Sequence, residues 1–163
     1  DSVHAGLATH FVPRDSLPAL RAALVSEGVA AVARFAQTPP EASFAPHRDA
    51  IDRCFGQDGI AGILAALDAE GTERAAAQAK ILRRMSPTSL CVSLELLRRG
   101  ARQDLAGCLA TELALTRVVV NVHPDFVEGV RSVLVDKDGA PKWQPARIED
   151  VDPAAIQAMF GAA

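Results

Sequence analysis

Apolar side chains recur at three- and four-residue intervals along most of the chain, the spacing that lines up one face of an α-helix. Leu17, Leu20, Leu24 and Val25 form one such set, with Asp15 or Ser16 able to cap its start and Gly28 to end it. Val29, Val32 and Phe35 continue the stripe until Thr38-Pro39-Pro40 stops it, and Glu41 to Pro46 reads as a loop. A helical pattern returns from His47 to Phe55. Asp58 is placed to cap a helix carrying Ile60, Ile63, Leu64 and Leu67, which Gly71 ends. Thr72 opens a helix with Ala76, Ile81, Leu82 and Met85, and Ser86-Pro87 pairs a capping hydroxyl with a proline in the first turn of the next. That helix presents Leu90, Leu94 and Leu97 and meets Gly100, where a C-terminal glycine is expected. Asp104 starts another with Leu105, Leu109, Leu113 and Val120. His123-Pro124-Asp125 opens one whose expected buried face is Phe126, Val127, Val130, Val133 and Leu134.

Extended structure has one candidate, the apolar run Leu7 to Val12 between Gly6 and Pro13. Asp136-Lys137-Asp138-Gly139 reads as a turn. Pro141 and Pro145 bracket a single tryptophan in what must be irregular chain, and a short helix covers Pro153 to Phe160. The sum is an all-α chain of about eight helices with at most one short strand.

Composition narrows the partners. Across 163 residues, 17 Lys plus Arg face 20 Asp plus Glu, a net charge of -3, so an electrostatic footprint for nucleic acid is not expected. Hydrophobic residues make up 49% of the chain and aromatics only 4%, so the core must be built from Ala, Leu and Val. No apolar run in the sequence approaches the ~20 residues of a membrane helix, and no membrane partner is expected. Cys54, Cys91 and Cys108 include no Cys-x-x-Cys pair and are expected to be reduced, which fits a cytoplasmic protein. Asp1-Ser2-Val3-His4 has no initiator Met, basic start or secretory block, which reads as an excised piece. The excess of Arg over Lys suggests a GC-rich bacterial genome.

Chemistry-bearing patterns are sparse. His4, His10, His47 and His123 offer no i, i+4 pair for a metal, so no metal site is expected. His123 reads as a cap for the helix that Pro124 begins. Asp125 and Glu128 stand three apart, a spacing open to an acid–base pair, although acidic residues in a first helical turn also serve the dipole. Ser86, Thr88 and Ser89 have no evident histidine partner, and neither a nucleophile elbow nor a glycine-rich phosphate loop is present. Arg83-Arg84 and Arg98-Arg99 with Arg102 read as solvated helix faces. Lys137, Lys142 and Trp143 form a group open to two readings: two cations and an indole that contact a nucleotide, or a packed anchor for the C-terminal segment.

Four segments carry a resemblance: Gly6 to Val12, Met85-Ser86-Pro87-Thr88-Ser89-Leu90, His123-Pro124-Asp125-Phe126-Val127-Glu128-Gly129-Val130-Arg131, and Leu134 to Asp138 followed by Pro141-Lys142-Trp143-Gln144-Pro145. In this order they resemble the C-terminal half of 3-hydroxyisobutyryl-CoA hydrolases, within the crotonase, or enoyl-CoA hydratase/isomerase, superfamily. Val118-Val119-Val120 departs from the more polar stretch of many relatives.

The resemblance implies residues 1-14 as the end of the crotonase core and a connector, and 15-163 as the helical C-terminal domain. For the intact protein it implies hydrolysis of a short branched acyl-CoA thioester in valine catabolism, with no cofactor, since CoA is part of the substrate. The family's oxyanion amides and catalytic carboxylates lie upstream of the Gly-Leu-Ala-Thr-His segment, so no catalytic residue is assigned and the segment alone is expected to be inactive. Lys137, Lys142 and Trp143 are the candidates for touching the CoA portion, and Arg131 is expected to pair with Glu128 or a neighbouring carboxylate. The expected partners are acyl-CoA, the missing N-terminal core and other copies of the chain. Two alternatives stay open: the C-terminal part of an enoyl-CoA hydratase or isomerase, and a non-catalytic helical interaction or oligomerisation module. A piece parted from its core should also expose an apolar surface.

Overall fold

In the computed structural model, which describes residues 1–161, the chain is helical, and among these residues no sheet forms. The α-helices are α1 (Leu17–Glu27), α2 (Ala31–Phe35), α3 (Arg48–Phe55), α4 (Ile60–Glu70), α5 (Glu73–Leu82), α6 (Pro87–Gly100), α7 (Leu105–Asn121), α8 (Pro124–Val130) and α9 (Pro153–Gly161). Two compact units divide between Asp49 and Ala50.

In the first unit α1 and α2 fold back on each other at Gly28, whose φ of 71° is one that residues with a Cβ rarely adopt. Leu20, Ala23 and Ala31 are buried between them, with Val12, Val32 and Phe35 against this small core. The expected strand over Leu7 to Val12 shrinks to one antiparallel bridge, Phe11 to Gln37, because no neighbouring extended segment is there to continue a ladder. Val25 and Val29 point to solvent, since the two short helices bury only one narrow seam.

The second unit has two apolar clusters. Cys54, Ile60, Ile63, Leu64, Leu67, Ala75 and Ala79 pack where α3, α4 and α5 meet, with Leu90 and Leu94 of α6 against them. Val92, Leu115 and Ile156 join α6, α7 and α9. The stop at Gly71 is as expected, a left-handed cap with φ 70°. Three caps are made by the expected side chains: Thr72 accepts from the Ala75 amide at 3.2 Å, Ser86 from Ser89 at 3.0 Å and Asp104 from Gly107 at 2.8 Å. Asp58 does not cap α4. Gly59 holds that position without a side-chain bond, and the Asp58 carbonyl accepts from Arg98 Nη2 at 2.7 Å. Gly100 is the last residue of α6, and the helix passes into a right-handed turn at Ala101, so no left-handed glycine is needed there.

The largest corrections concern faces. Leu105 is 75% and Leu109 57% exposed, and Leu113 is exposed as well, whereas Leu115 on another side of α7 is buried. Phe126, Val127, Val130, Val133 and Leu134, the expected buried face of the last patterned helix, all keep a third or more of their surface in solvent. Helix α7 is thus apolar on two sides and has only one side covered, a composition that a helix needs when it is enclosed from both.

Truncation should separate covered from uncovered leucines in this chain. Leu67→Ala, at a residue 3% exposed, is expected to cost about 2–5 kcal/mol in chemical denaturation. Leu109→Ala should stay within about 0.5 kcal/mol of the parent, and an equal loss at both positions would mean that the outer side of α7 is covered after all.

Candidate functional site

Three of the segments that carry the resemblance converge in the second unit. The His123 side chain caps α8 as expected, its Nδ1 accepting from the Asp125 amide at 3.3 Å. One turn of helix places Asp125 inward, 4% exposed, and a buried carboxylate must be given hydrogen-bond donors to offset its lost hydration. Ser86 Oγ donates to Asp125 Oδ2 at 2.5 Å, and the Gln144 amide donates to Oδ1 at 2.9 Å. Ser86 therefore both caps α6 and ties α6 to α8.

Glu128 and Arg131 form the second node. Arg131 Nε and Nη2 each donate to Glu128 at 2.8 Å, a two-pronged pair across one helical turn. Arg131 Nη1 reaches Asp136 at 2.6 Å and Asp138 at 2.7 Å, and the Lys142 amide donates to Glu128 Oε1 at 2.6 Å. These donors, led by the Arg131 guanidinium, draw the Glu128 carboxyl down to about 2. Here α8 widens into a π-helical turn over Arg131–Val135, in which the Asp136 amide donates to the Arg131 carbonyl at 2.8 Å. Ser132 is fully buried under that turn.

The Asp125 and Glu128 carboxylates thus hold structure. Each is occupied by donors from the chain itself, and the spacing that left an acid–base pair open instead serves two separate anchoring contacts.

The sequence group Lys137, Lys142 and Trp143 lies on the segment so anchored. Trp143 Nε1 donates to the Arg84 carbonyl at 3.0 Å, and its ring edge comes so near Gly129 that a Cβ there would sit 3.4 Å away. Glycine at 129 lets the indole in. Lys137 and Lys142 are exposed, and neither ammonium has a hydrogen bond or ion-pair partner among the described residues. Cross-links through Ser86, Asp125, Arg84 and Gln144 join positions 19 to 59 residues apart, which no local pattern could reveal.

Beside these anchors a groove of about 390 Å³ runs between α6, α7, α8 and α9. Val92, Leu115, Val119, Phe126 and Met159 are among its walls, with Thr88, Ser89, Ser93, Thr116 and His123 as polar groups. Most of the lining is apolar.

The chain belongs to the enoyl-CoA hydratase/isomerase family, whose description matches residues 1–160. Among individual proteins it is similar to the probable 3-hydroxyisobutyryl-CoA hydrolase 2 of Arabidopsis thaliana, 38% identical with 95% of this chain and 45% of that protein covered. The mitochondrial 3-hydroxyisobutyryl-CoA hydrolase of Rattus norvegicus is 36% identical, with 98% and 44% covered. A carnitinyl-CoA dehydratase from Mycobacterium thermoresistibile has a similar solved structure, with TM-score 0.88, 38% identity, and 98% of this chain and 46% of that one covered. For an enoyl-CoA hydratase from Rhodobacter sphaeroides the values are 0.87, 35%, 98% and 46%. The chain therefore spans about half the length of the relatives it matches.

Ser86→Ala removes a cap and leaves buried Asp125 short of a donor, and is expected to lower stability by about 1–3 kcal/mol in urea unfolding. The Glu128 carboxyl is held below its ordinary 4.5 in the folded state, so its contribution is complete above pH 4.5 and is lost as pH falls toward about 2. The stability difference between the parent chain and Glu128→Gln should accordingly be present at pH 6 and shrink through that window. A pH-independent difference would show that the ionised form has no special partner.

Proposed function

We propose that this chain is the helical C-terminal part of a CoA-thioester hydrolase that acts on 3-hydroxyisobutyryl-CoA in valine catabolism. Identity of more than a third over nearly the whole chain to hydrolases of that name is the observation that carries the reading. The physical division of labour follows from thioester chemistry. Hydrolysis needs oriented donors for the developing oxyanion and an activated water in a site shielded from bulk solvent. Asp125, Glu128 and Ser86, the polar groups that converge here, are occupied in anchoring the chain, so catalysis falls on this reading to the half of the relatives' length that the chain does not span.

On this reading residues 1-14 complete the crotonase core and lead into the helical domain of 15-163. The apolar residues of α7 and α8 then pack on that core or on a second copy. Lys137 and Lys142 face the phosphates of CoA, while Trp143 holds their segment in place beside the nucleotide. The intact protein would be cytoplasmic and bacterial, in keeping with three unpaired cysteines and the Arg-rich composition. The Cys54 thiol is pushed up by burial, which keeps it protonated and unreactive. The carnitinyl-CoA dehydratase and the enoyl-CoA hydratase are as similar in sequence as the hydrolases, which favours a second reading, an enoyl-CoA hydratase.

Supplying the purified chain and the full-length protein with 3-hydroxyisobutyryl-CoA and with crotonyl-CoA decides between the readings. Thiol release by the full-length protein alone supports the hydrolase. Hydration of crotonyl-CoA without thiol release would replace it with the second reading, and turnover by the 163-residue chain would overturn the division of labour.

A further inference from the structure

One guanidinium controls the short loop that carries both candidate lysines. Asp136 and Asp138 flank Lys137 in sequence, and both carboxylates turn onto Arg131. Glu128, bound to the same guanidinium from the other side, takes the backbone amide of Lys142. Lys137, flanked by the two gripped aspartates and just past the π-helical turn, has φ 55°, the left-handed conformation in which many helices end. The charges are also segregated. Glu128, Asp136 and Asp138 balance Arg131, Lys137 and Lys142 in number, yet the ion pairs of all three carboxylates are with Arg131. Lys142 already lies near enough to Glu128 to favour its ionised form, so without the guanidinium that carboxylate would be left to the lysine.

We propose that Arg131 is a positioning residue for CoA: it fixes the 136–142 loop and occupies its carboxylates, so that Lys137 and Lys142 remain free for the phosphates of the nucleotide end. This rests on the reading that the two lysines meet CoA. Arg131 itself touches no ligand. Lysine cannot replace it, because one ammonium lacks the planar fork that holds Glu128 with two bonds while reaching two further carboxylates.

Calorimetry on the full-length protein, with CoA and with pantetheine, which lacks the phosphates, tests the assignment. Arg131→Gln is expected to raise the Kd for CoA about tenfold, roughly 1.4 kcal/mol, and to leave that for pantetheine unchanged. Arg131→Lys, which keeps the charge and serves if the glutamine variant does not fold, should behave in the same way. Adding Lys137→Ala and Lys142→Ala to Arg131→Gln should cost nothing beyond the double lysine variant. Equal weakening of CoA and pantetheine, or full additivity with the lysines, would overturn the proposal. If the double lysine variant binds CoA as the parent does, the CoA-contact reading itself fails. If it binds more weakly while Arg131→Gln does not, only the role of Arg131 is lost.

Discussion

Burial of the Asp125 carboxylate sets the geometry from which the rest of the second unit's C-terminal part follows. A carboxyl group removed from water must replace its lost hydration with hydrogen bonds from the chain, and here these come from Ser86 at the start of α6 and from the Gln144 amide. Satisfying one acidic side chain therefore fixes the start of α6, the first turn of α8 and the irregular segment near Pro145 with respect to one another. Trp143 seats itself on Gly129 and Arg84 as part of the same arrangement, with its ring supplying contact and its nitrogen supplying direction. The neighbouring Glu128 and Arg131 add a second, more exposed grip whose contribution is electrostatic and is screened by salt.

Packing in the chain is one-sided by comparison. Val92 of α6 and Leu115 of α7 are enclosed, while Leu105, Leu109 and Leu113 of α7, with Val127 and Leu134 further along, are open to solvent. Scattered exposed leucines are ordinary, but a helix with apolar residues on both sides needs cover on both. By composition alone, the helical stretch Arg14–Phe35 is also long and apolar enough to cross a membrane. The left-handed break at Gly28 and the charges of Arg21 and Glu27 within it argue against a span. Family membership, together with a length about half that of the relatives, offers a more economical reason for uncovered apolar surface.

Local chemistry was legible in the sequence. Thr72, Ser86, Asp104 and His123 cap the helices that follow them, as their positions foretold, because a cap is a contract between residues two or three apart. Helical periodicity and the glycine at 71 likewise act within a few residues, and the all-α class follows from them. The family resemblance was carried by segments around Ser86, Asp125 and Trp143, and these prove to be the residues that the fold ties together. Their roles were only partly readable: Ser86 was seen as a cap but not as the donor to Asp125, and Asp125 as a first-turn acid but not as a buried one.

Which side of an amphipathic helix is covered depends on what lies next to it, and periodicity carries no information about that. The sequence by itself determined where the helices lie, how four of the nine among the described residues start, and the family to which they belong, since those depend on near neighbours and on segments compared one at a time. Only the tertiary structure decided that α7 buries Leu115 rather than Leu109, that Asp125 and Glu128 are anchors, and that Arg131 gathers three carboxylates around one loop. Each of those outcomes depends on groups brought together in space, where desolvation and hydrogen-bond geometry choose among partners that the sequence leaves equivalent.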